Sequence, residues 1–510
     1  MPAIWFEEKT PEPSADPYRM DVALFVGLAP LRPLDRPPAA LERWLQEGGW
    51  LDRVVSGACL RDVPVPVDSW EAFQGFFGRP EESVGEAAGL CPLARAVRSF
   101  FAQGGRKAYV VSMGNPLPEG AEAARRVKAL ERLLYGAEGP LGGREALQDL
   151  ASLSFPPLGS PEADTGTWHG IHHGIALQDV AFAAYPDLPY LVASPSDPVS
   201  VEIPPRRDPE IFVECSETEP PVPVRRVWIP TAPRCDPAGL QVWKKAVQAI
   251  LLWIRQNARE WILAAALPLP EPQREASWWV EDMQEILAAE PEEGGCASAF
   301  FQGAFPWLTD PLEPGRLLAP DGPLLGILAV NALERGTFRS AAGRPVPGVS
   351  GTVPVLSWAE RERAPDASRA MIRRLCLFHG GPTGVVLASD RTTSLDPSHG
   401  PGPVSRLMGF ILKAARRLGD TLVFEDSSPR TWSRLQRALS GLLESIHLAG
   451  GLEGSSSREA FHVMCGPQTM TLQDMDSGRL VARIQVQPAV PVEALQVVLA
   501  MEPDGNIRMA

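Results

Sequence analysis

The sequence predicts a multi-domain protein of the α/β (α+β) class. Short continuous apolar runs ended by turn residues, such as 22–27 and 108–112, are typical of buried central strands. Amphipathic segments such as 93–101 alternate with these runs, which is the element order of layered α/β folds. At about 100–200 residues per domain, the 510 residues allow several domains.

The first half of the chain supplies strands and helices in alternation. Residues 62–67 predict a strand, and Ser69 is a candidate N-cap for a helix whose phenylalanines recur at helical spacing. The pattern then predicts a helix over 120–135, a strand over 179–187 and one long helix over 243–266.

The last third is the most regular part of the sequence. Its apolar runs and amphipathic periods predict strands and helices separated by Pro- and Gly-rich turns. The predicted strands cover 371–378, 384–388, 421–424, 480–486 and 494–501, and the predicted helices cover 404–418 and 429–448. A further strand is predicted ahead of this part, over 298–308.

Composition excludes several classes of protein. The net charge of −14 disfavours a nucleic-acid binder, which usually shows a basic footprint. Seven scattered cysteines without a CxxC pair favour reduced thiols in the cytoplasm. The amino terminus lacks the pattern of a secretory signal, and the apolar runs are shorter than the ~18 residues of a membrane span. The 53 prolines require many loops and extended segments.

The common catalytic fingerprints are missing from the sequence. It contains no P-loop, no dinucleotide-binding glycine motif, no HExxH and no GxSxG. A missing motif does not exclude an enzyme, since a catalytic group can be assembled from scattered residues. The expectation is nevertheless that the protein is no enzyme and binds no cofactor.

One histidine cluster needs a separate interpretation. His169, His172 and His173 lie within five residues, and Asp164 could add a carboxylate. Such a set could bind zinc in a hydrolase, but an exposed loop with chance histidines is the favoured interpretation, and no metal site is assigned.

The predicted helix 429–448 carries two distinct faces. Trp432, Leu435, Leu439, Leu442 and Ile446 form an apolar stripe. Arg430, Arg434 and Arg437, here called the basic row, fall on the opposite face. The basic row is either a solvated helix face or a docking surface for an acidic partner.

Both ends of the chain carry a short apolar strand beyond a proline-rich spacer. Ile4, Trp5 and Phe6 precede one spacer, and the strand 494–501, with Leu495, Val497 and Leu499 on one face, follows the other. The carboxyl-terminal strand could pair within its own sheet or add to a neighbour's edge. Two such strands favour strand exchange in a polymer.

Two segments near the amino terminus, 2–8 (PAIWFEE) and 21–30 (DVALFVGLAP), begin an ordered set that resembles the contractile tail sheath proteins of phage tails, R-type pyocins and extracellular contractile injection systems. The first segment is similar to the family's amino-terminal arm and the second to its first core strand. Residues 68–77 and 93–111 resemble the segment that follows. The similar carboxyl-terminal segments are 304–314, 322–335, 337–351, 372–391, 424–432, 459–476 and 478–486.

The resemblance implies a tail-sheath fold with a family-like α/β core, a C-terminal sheath domain, a variable middle insertion and extended terminal strand arms. The expected boundaries are an arm and linker over 1–20, core over 21–112, a variable outer region over 113–295, core over 296–394, a C-terminal sheath domain over 395–488 and an arm over 489–510.

The implied function is that of a structural subunit, which polymerises as stacked rings around an inner tube and contracts to drive the tube through a target envelope. The implied partners are further copies of the chain, the inner tube protein, and baseplate and terminal cap proteins. The basic row would face the tube, and both end strands would pair with neighbours. Assembly is expected in the cytoplasm, in a particle that is extracellular, virion-associated or membrane-anchored. The alternatives are a non-contracting cap or baseplate-proximal ring and, from another class, the zinc-dependent hydrolase.

Overall fold

The fold is a mixed α/β architecture that a computed structural model describes over most of the chain. The described residues are 18–34, 36–78, 91–118, 121–122, 123–136, 155–162, 164–194, 200–203, 225–228, 233–270, 283–311, 316–357, 360–361, 371–382, 384–422, 425, 428–471, 473, 480–490, 499–501 and 507–509.

The described strands and helices alternate along most of the chain. The strands are β1 (Val22–Gly27), β2 (Pro64–Val67), β3 (Ala108–Ser112), β4 (Val180–Ala184), β5 (Ser200–Ile203), β6 (Arg225–Trp228), β7 (Arg234–Cys235), β8 (Ile262–Ala266), β9 (Leu269–Pro270), β10 (Phe301–Phe305), β11 (Trp307–Thr309), β12 (Leu317–Leu318), β13 (Gly351–Val353), β14 (Cys376–Gly381), β15 (Gly384–Leu387), β16 (Phe461–Cys465), β17 (Ala482–Val486), β18 (Leu499–Met501) and β19 (Ile507–Met509). The α-helices are α1 (Ala39–Glu47), α2 (Leu51–Gly57), α3 (Trp70–Phe77), α4 (Pro92–Ala102), α5 (Ala123–Tyr135), α6 (Leu188–Leu191), α7 (Pro237–Asn257), α8 (Asp321–Arg335), α9 (Gly402–Asp420), α10 (Pro429–Leu448) and α11 (Ser457–Ala460).

Eight strands form the core sheet, in the order β15-β14-β10-β8-β4-β1-β3-β2. The six inner strands are parallel, and an antiparallel strand lies at each edge. Phe25 of β1 lies opposite Val110 of β3 and Ala184 of β4. Because β3 lies on one side of β1 and the later parallel strands continue on the other, the chain order reverses between β1 and β4. The predicted α/β class is confirmed.

The central strands are buried on both faces, which explains their continuous apolar sequences. All residues of β1, β3, β4, β8 and β10 are buried. The strands predicted at 22–27 and 108–112 are confirmed with the same bounds, and β4 lies within the strand predicted over 179–187.

Helix α8 approaches α4 closely because two glycines lie one turn apart at their contact. A Cβ atom on Gly322 would lie 2.5 Å from the Ala96 carbonyl oxygen, and one on Gly326 would lie 2.5 Å from that of Phe100. Any larger side chain at either position would force the two helix backbones apart.

A second apolar cluster organises the carboxyl-terminal part, and we call α9, α10, α11, β16 and β17 the C-terminal body. Leu407 and Ile411 of α9 pack there against the apolar stripe of α10. The strands β16 and β17 form a separate two-stranded antiparallel sheet, here called the small sheet. Helix α9 therefore belongs to this body while its opposite face touches the core.

The helix predicted over 243–266 is wrong in its last part. Helix α7 ends at Asn257, and β8 begins at Ile262 in the middle of the core sheet. Between them the Trp261 amide donates to the Ala258 carbonyl oxygen at 2.9 Å, which closes a turn. A short apolar run in a fully buried strand has no period that separates it from a helix.

Two further expectations differ from the structure. Thr421 and Leu422, expected in a strand, form a turn after α9, and residues 423–424 lie outside the described residues. The strands β4 and β8 both come from 113–295, the range assigned to an outer region, so part of this range builds the centre of the core sheet. The other domain boundaries stay a prediction.

Candidate assembly surfaces

Helix α10 has the bounds that the sequence predicts, and its first turn shows why it begins where it does. Pro429 occupies the first turn, where its missing amide costs nothing, and the Ser428 hydroxyl accepts a hydrogen bond from the Thr431 amide at 3.5 Å. The helix is confirmed at 429–448.

The buried face of α10 follows the predicted stripe with one change. Leu435, Leu439 and Ile446 are buried as predicted, but Leu443 is fully buried where Leu442 was expected, and Leu442 is half-buried. Trp432 packs against the same cluster from its edge. The apolar face is therefore turned slightly from the predicted centre.

The basic row lies on the solvent side of α10. Arg430, Arg434 and Arg437 are all exposed. Arg434 forms an ion pair with Glu425, with 2.5 Å between Nη1 and Oε1, and Arg437 Nε donates to the Ser433 carbonyl oxygen at 3.2 Å. Three guanidinium groups therefore share one face, on which the described residues supply one paired carboxylate, and the role of this face stays a prediction.

The small sheet shows the alternation predicted for residues 480–486. Ala482, Ile484 and Val486 are half-buried and pack on the second apolar cluster, whereas Arg483 and Gln485 are exposed. Within the described part of the chain, β16 and β17 pair with each other and with no third strand. Each strand therefore has an outer edge without a strand partner, although on β16 the Gln436 side chain of α10 donates to the Val463 carbonyl oxygen at 2.9 Å.

The predicted arm strands fall mainly outside the described residues. Ile4, Trp5, Phe6, Leu495 and Val497 lie there, while Leu499 begins β18.

Strand β18 pairs antiparallel with β19, so that Leu499 lies opposite Met509. The sequence analysis missed β19. The Asp504-Gly505 dipeptide, a strong hairpin signal, could have indicated it.

A buried ion pair that the sequence analysis also missed fixes α9 to the core. Arg406 donates to both carboxylate oxygens of Asp390, at 2.8 and 2.7 Å, and both side chains are almost fully buried. Asp390 also accepts hydrogen bonds from Gln302 Nε2 and the Ala341 amide, each at 2.9 Å. Burial raises the pKa of the Asp390 carboxyl, but the Arg406 guanidinium outweighs burial and holds that pKa below its usual value.

A second buried cation on α9 holds the segment that enters the core at β1. Lys413 Nζ donates to the carbonyl oxygens of Arg19 at 2.9 Å and Val180 at 3.1 Å. Arg19 in turn makes a two-pronged contact with Asp21, at 2.9 and 2.6 Å. Burial lowers the pKa of Lys413 to about 8, against the opposing effect of Asp179 and other nearby carboxylates. The root of the amino-terminal linker is thus bonded to α9.

The histidine cluster is organised around the carboxylate of Asp62. That carboxylate accepts hydrogen bonds from His169 Nδ1 at 2.7 Å, the Gly170 amide at 2.9 Å and His173 Nε2 at 3.1 Å, and it pairs with Arg53 at 3.2 Å. Burial raises the pKa of the Asp62 carboxyl, but the histidine hydrogen bonds outweigh it and hold that pKa below its usual range.

The third histidine lies apart from the other two. The His172 ring stacks on Trp253 with 5.6 Å between ring centroids, and burial lowers its pKa to about 4. Among the described residues, no group of three or more His, Cys, Asp or Glu side chains is placed to hold a metal ion. Asp164 instead caps a short turn by accepting from the Gly166 amide at 2.8 Å. The geometry gives the zinc alternative no support.

The crevice at the reversal point of the core sheet, where α/β proteins commonly bind ligands, is filled by side chains of this chain. Asp187 follows β4 and accepts a hydrogen bond from the Leu28 amide at 3.0 Å. A Cβ atom on Gly27 would lie 2.3 Å from Asp187 Oδ2. Burial, followed by the nearby carboxylate of Asp321, raises the pKa of Asp187 to about 8. The Asp187 side chain therefore fills space in the crevice and bonds the backbone at the end of β1.

Comparison with solved structures identifies the fold. No family model and no curated protein matches the sequence. The anti-feeding prophage baseplate in its contracted state contains a chain with 17% identity and a TM-score of 0.58, which covers 99% of this chain and 97% of that one.

Two sheath assemblies give the same result. The contracted sheath of the anti-feeding prophage matches with 15% identity and a TM-score of 0.53, covering 98% of this chain and 99% of that one. The contracted PVC sheath complex, an extracellular contractile injection system, matches with 16% identity and a TM-score of 0.52, over 99% of both chains. None of the described helices combines the length and apolarity of a membrane crossing. Over nearly its whole length, the chain has the fold of contractile injection system sheath proteins.

Proposed function

We propose that this protein is a structural sheath subunit of a contractile injection system, in which copies stack as rings around an inner tube and contract to drive the tube through a target envelope. The observation that carries the proposal is the fold similarity over 98–99% of the chain to two contracted sheath assemblies. Its partners are further copies of itself, the inner tube protein, and baseplate and cap proteins. Assembly takes place in the cytoplasm, and the mature particle is extracellular, virion-associated or membrane-anchored.

The small sheet is the proposed acceptor for strands from neighbouring copies. Two strands alone rarely make a stable sheet, and added strands would complete both edges with backbone hydrogen bonds. The donors are the amino-terminal strand around Trp5 and the carboxyl-terminal segment that contains Leu495, Val497 and Leu499. Each copy then links to its neighbours through both ends.

The hinges of these arms lie outside the residues that are bonded to the body of the subunit. Arg19 is held by Asp21 and Lys413, so the amino-terminal hinge lies ahead of Tyr18. At the other end, the Ala489 amide donates to the Gly451 carbonyl oxygen at 3.1 Å, so that hinge lies beyond Val490. The rest of the subunit can turn as a rigid body between its arms.

The basic row is the proposed contact to the tube. Its guanidinium groups project from the solvent side of α10 and would pair with carboxylates on a tube surface. In a sheath of this kind the free energy of contraction would come from new contacts between subunits, and a sequence without a P-loop is consistent with that source.

Negative-stain microscopy of the protein expressed with its tube and baseplate partners tests this proposal. We expect striated hollow cylinders in extended and contracted lengths. Deletion of residues 1–8 should leave a folded monomer that forms no cylinders, and normal cylinders from it would refute strand exchange. Reversal of the basic row to glutamates should yield empty or contracted sheaths, and tube-filled extended sheaths at normal yield would refute the tube contact.

A non-contracting ring next to the baseplate is the second candidate. It is favoured by the similarity, at a TM-score of 0.58, to a chain in a baseplate assembly. Counting copies per particle by quantitative mass spectrometry separates the two, because a sheath needs many rings and a baseplate-proximal subunit needs one.

A further inference from the structure

A cavity beside α9 is not used by the proposed assembly contacts. Its volume is about 320 Å³, and it lies between α9 and the residues that lead into β8. This volume is at the lower end of the range for small-molecule sites, about 300–1,000 Å³.

One wall of the cavity is apolar. It is formed by Ile175, Leu177 and Trp261. Leu177 and Trp261 are buried, whereas Ile175 is 36% exposed, which is large for an isoleucine next to a packed core. This wall can receive an aliphatic group of moderate size.

A carboxylate that lines the cavity has one oxygen that lacks a donor. Glu260 lines the cavity and is 8% exposed. Its Oε1 atom accepts from Arg416, but its Oε2 atom is buried and has no hydrogen-bond partner in the described part of the chain. A buried charged oxygen without a donor costs free energy that a bound N–H group would recover.

Two cationic side chains of α9 also line the cavity. Arg417 is half-buried and lines the cavity, and the described residues give it no ion pair. Next to it, Lys413 uses two of its three N–H groups on carbonyl oxygens. The cavity therefore combines an unsatisfied acceptor, unsatisfied cationic donors and an apolar wall.

We propose that this cavity binds a zwitterionic α-amino acid with an aliphatic side chain. Its ammonium group would donate to Glu260 Oε2, its carboxylate would accept from Arg417 and Lys413, and its side chain would lie on Ile175 and Trp261. A simple anion would face the Glu260 carboxylate, and a simple cation would face Arg417. A ligand with both charges and an apolar group satisfies all three features.

Isothermal titration calorimetry of the purified full-length protein with L-leucine tests the proposal. We expect binding of L-leucine and a loss of about ten-fold or more for N-acetyl-L-leucine, which lacks the ammonium, and for L-leucinamide, which lacks the carboxylate. The variants E260Q and R417Q should weaken L-leucine binding to a similar degree. R125Q, which removes an exposed arginine of α5, should leave it unchanged.

Three outcomes would overturn the proposal. They are no heat with L-leucine at millimolar concentration, equal binding of the two capped analogues, and unchanged affinity in folded E260Q. The analogue comparison needs no variant, so it holds even if a substitution impairs folding. The test is made on unassembled protein and is independent of whether the chain forms sheaths.

Discussion

The core sheet and the small sheet differ in the number of strands and in the degree of burial that the described residues provide for each. The core sheet has eight strands, and its central strands are buried on both faces. The small sheet has two strands, and every second residue of β17 is exposed. A large parallel sheet stabilises itself, whereas a two-stranded sheet is marginal. The core sheet therefore forms a rigid body, whereas the small sheet is suited to accept strands.

Helix α9 joins these two regions and has a different chemistry on each side. Leu407 and Ile411 pack into the C-terminal body. Arg406, Gly409 and Lys413 face the core, where they meet a carboxylate and backbone carbonyl oxygens. The joint to the core is therefore polar and directional, which fixes the orientation of the C-terminal body.

The largest effect is expected at the buried ion pair of this joint. Arg406→Met would leave the Asp390 carboxylate buried without its cation and should lower the free energy of unfolding by about 3–5 kcal/mol. Urea titration followed by circular dichroism measures the loss.

The matched control is Arg434→Met, which breaks the exposed pair with Glu425 on α10. Exposed pairs contribute about 0–1 kcal/mol, so this variant should be close to the unmodified protein. If the two variants lost equal free energy of unfolding, the buried pair at the joint would not be more stabilising than the exposed pair on α10.

Truncation of one apolar residue in each sheet compares their packing directly. Leu263 in β8 is 1% exposed, so Leu263→Ala should cost about 2–5 kcal/mol through lost burial and the cavity left behind. Ile484 in β17 is half-buried, so Ile484→Ala should cost about 1 kcal/mol in the unassembled protein. Urea unfolding midpoints decide the order, and a larger loss at Ile484 would show that the small sheet is already complete.

A buried carboxyl to which the described residues give no ion pair should make the core sensitive to pH. Burial raises the pKa of Asp187 to about 8, so the folded protein keeps its proton where the unfolded chain has lost it. This contribution to stability is full below the unfolded pKa of about 4 and is lost as the pH rises toward 8. The asparagine in the variant Asp187→Asn cannot ionise, so this variant should not lose stability for this reason as the pH rises.

We therefore expect Asp187→Asn to gain stability relative to the unmodified protein between about pH 5 and about pH 8. Thermal unfolding at the two pH values measures the gain. Asp52→Asn, at an exposed carboxyl of α2, is the control and should show no such trend. A constant difference across the range would mean that Asp187 is ionised in the folded protein.

Local patterns predicted much of the fold but little of the joint. Helix α10 and strand β1 were predictable because amphipathic period, capping residues and a bounded apolar run each act over a few neighbouring residues. Arg406 and Asp390 meet only after α9 docks on the core, so no local pattern marks them. The apolar run of β8 carries no period, and only its place in the sheet decides its structure. The basic row was visible as a helix face, but the partner of that face is not encoded locally.

The smallest effects concern two glycines in neighbouring helices, and they should differ in sign. A Cβ atom on Gly409 of α9 would lie 2.9 Å from the Glu260 carbonyl oxygen at the joint, whereas one on Gly441 of α10 would meet nothing within 4 Å. Gly441→Ala should therefore stabilise by about 1 kcal/mol through helix propensity alone. Gly409→Ala gains the same propensity but must move α9 away from the core, for a net loss of about 1 kcal/mol. If Gly409→Ala also stabilised the protein in urea titration, α9 would not be held closely on the core, and the C-terminal body would be free to turn at that joint.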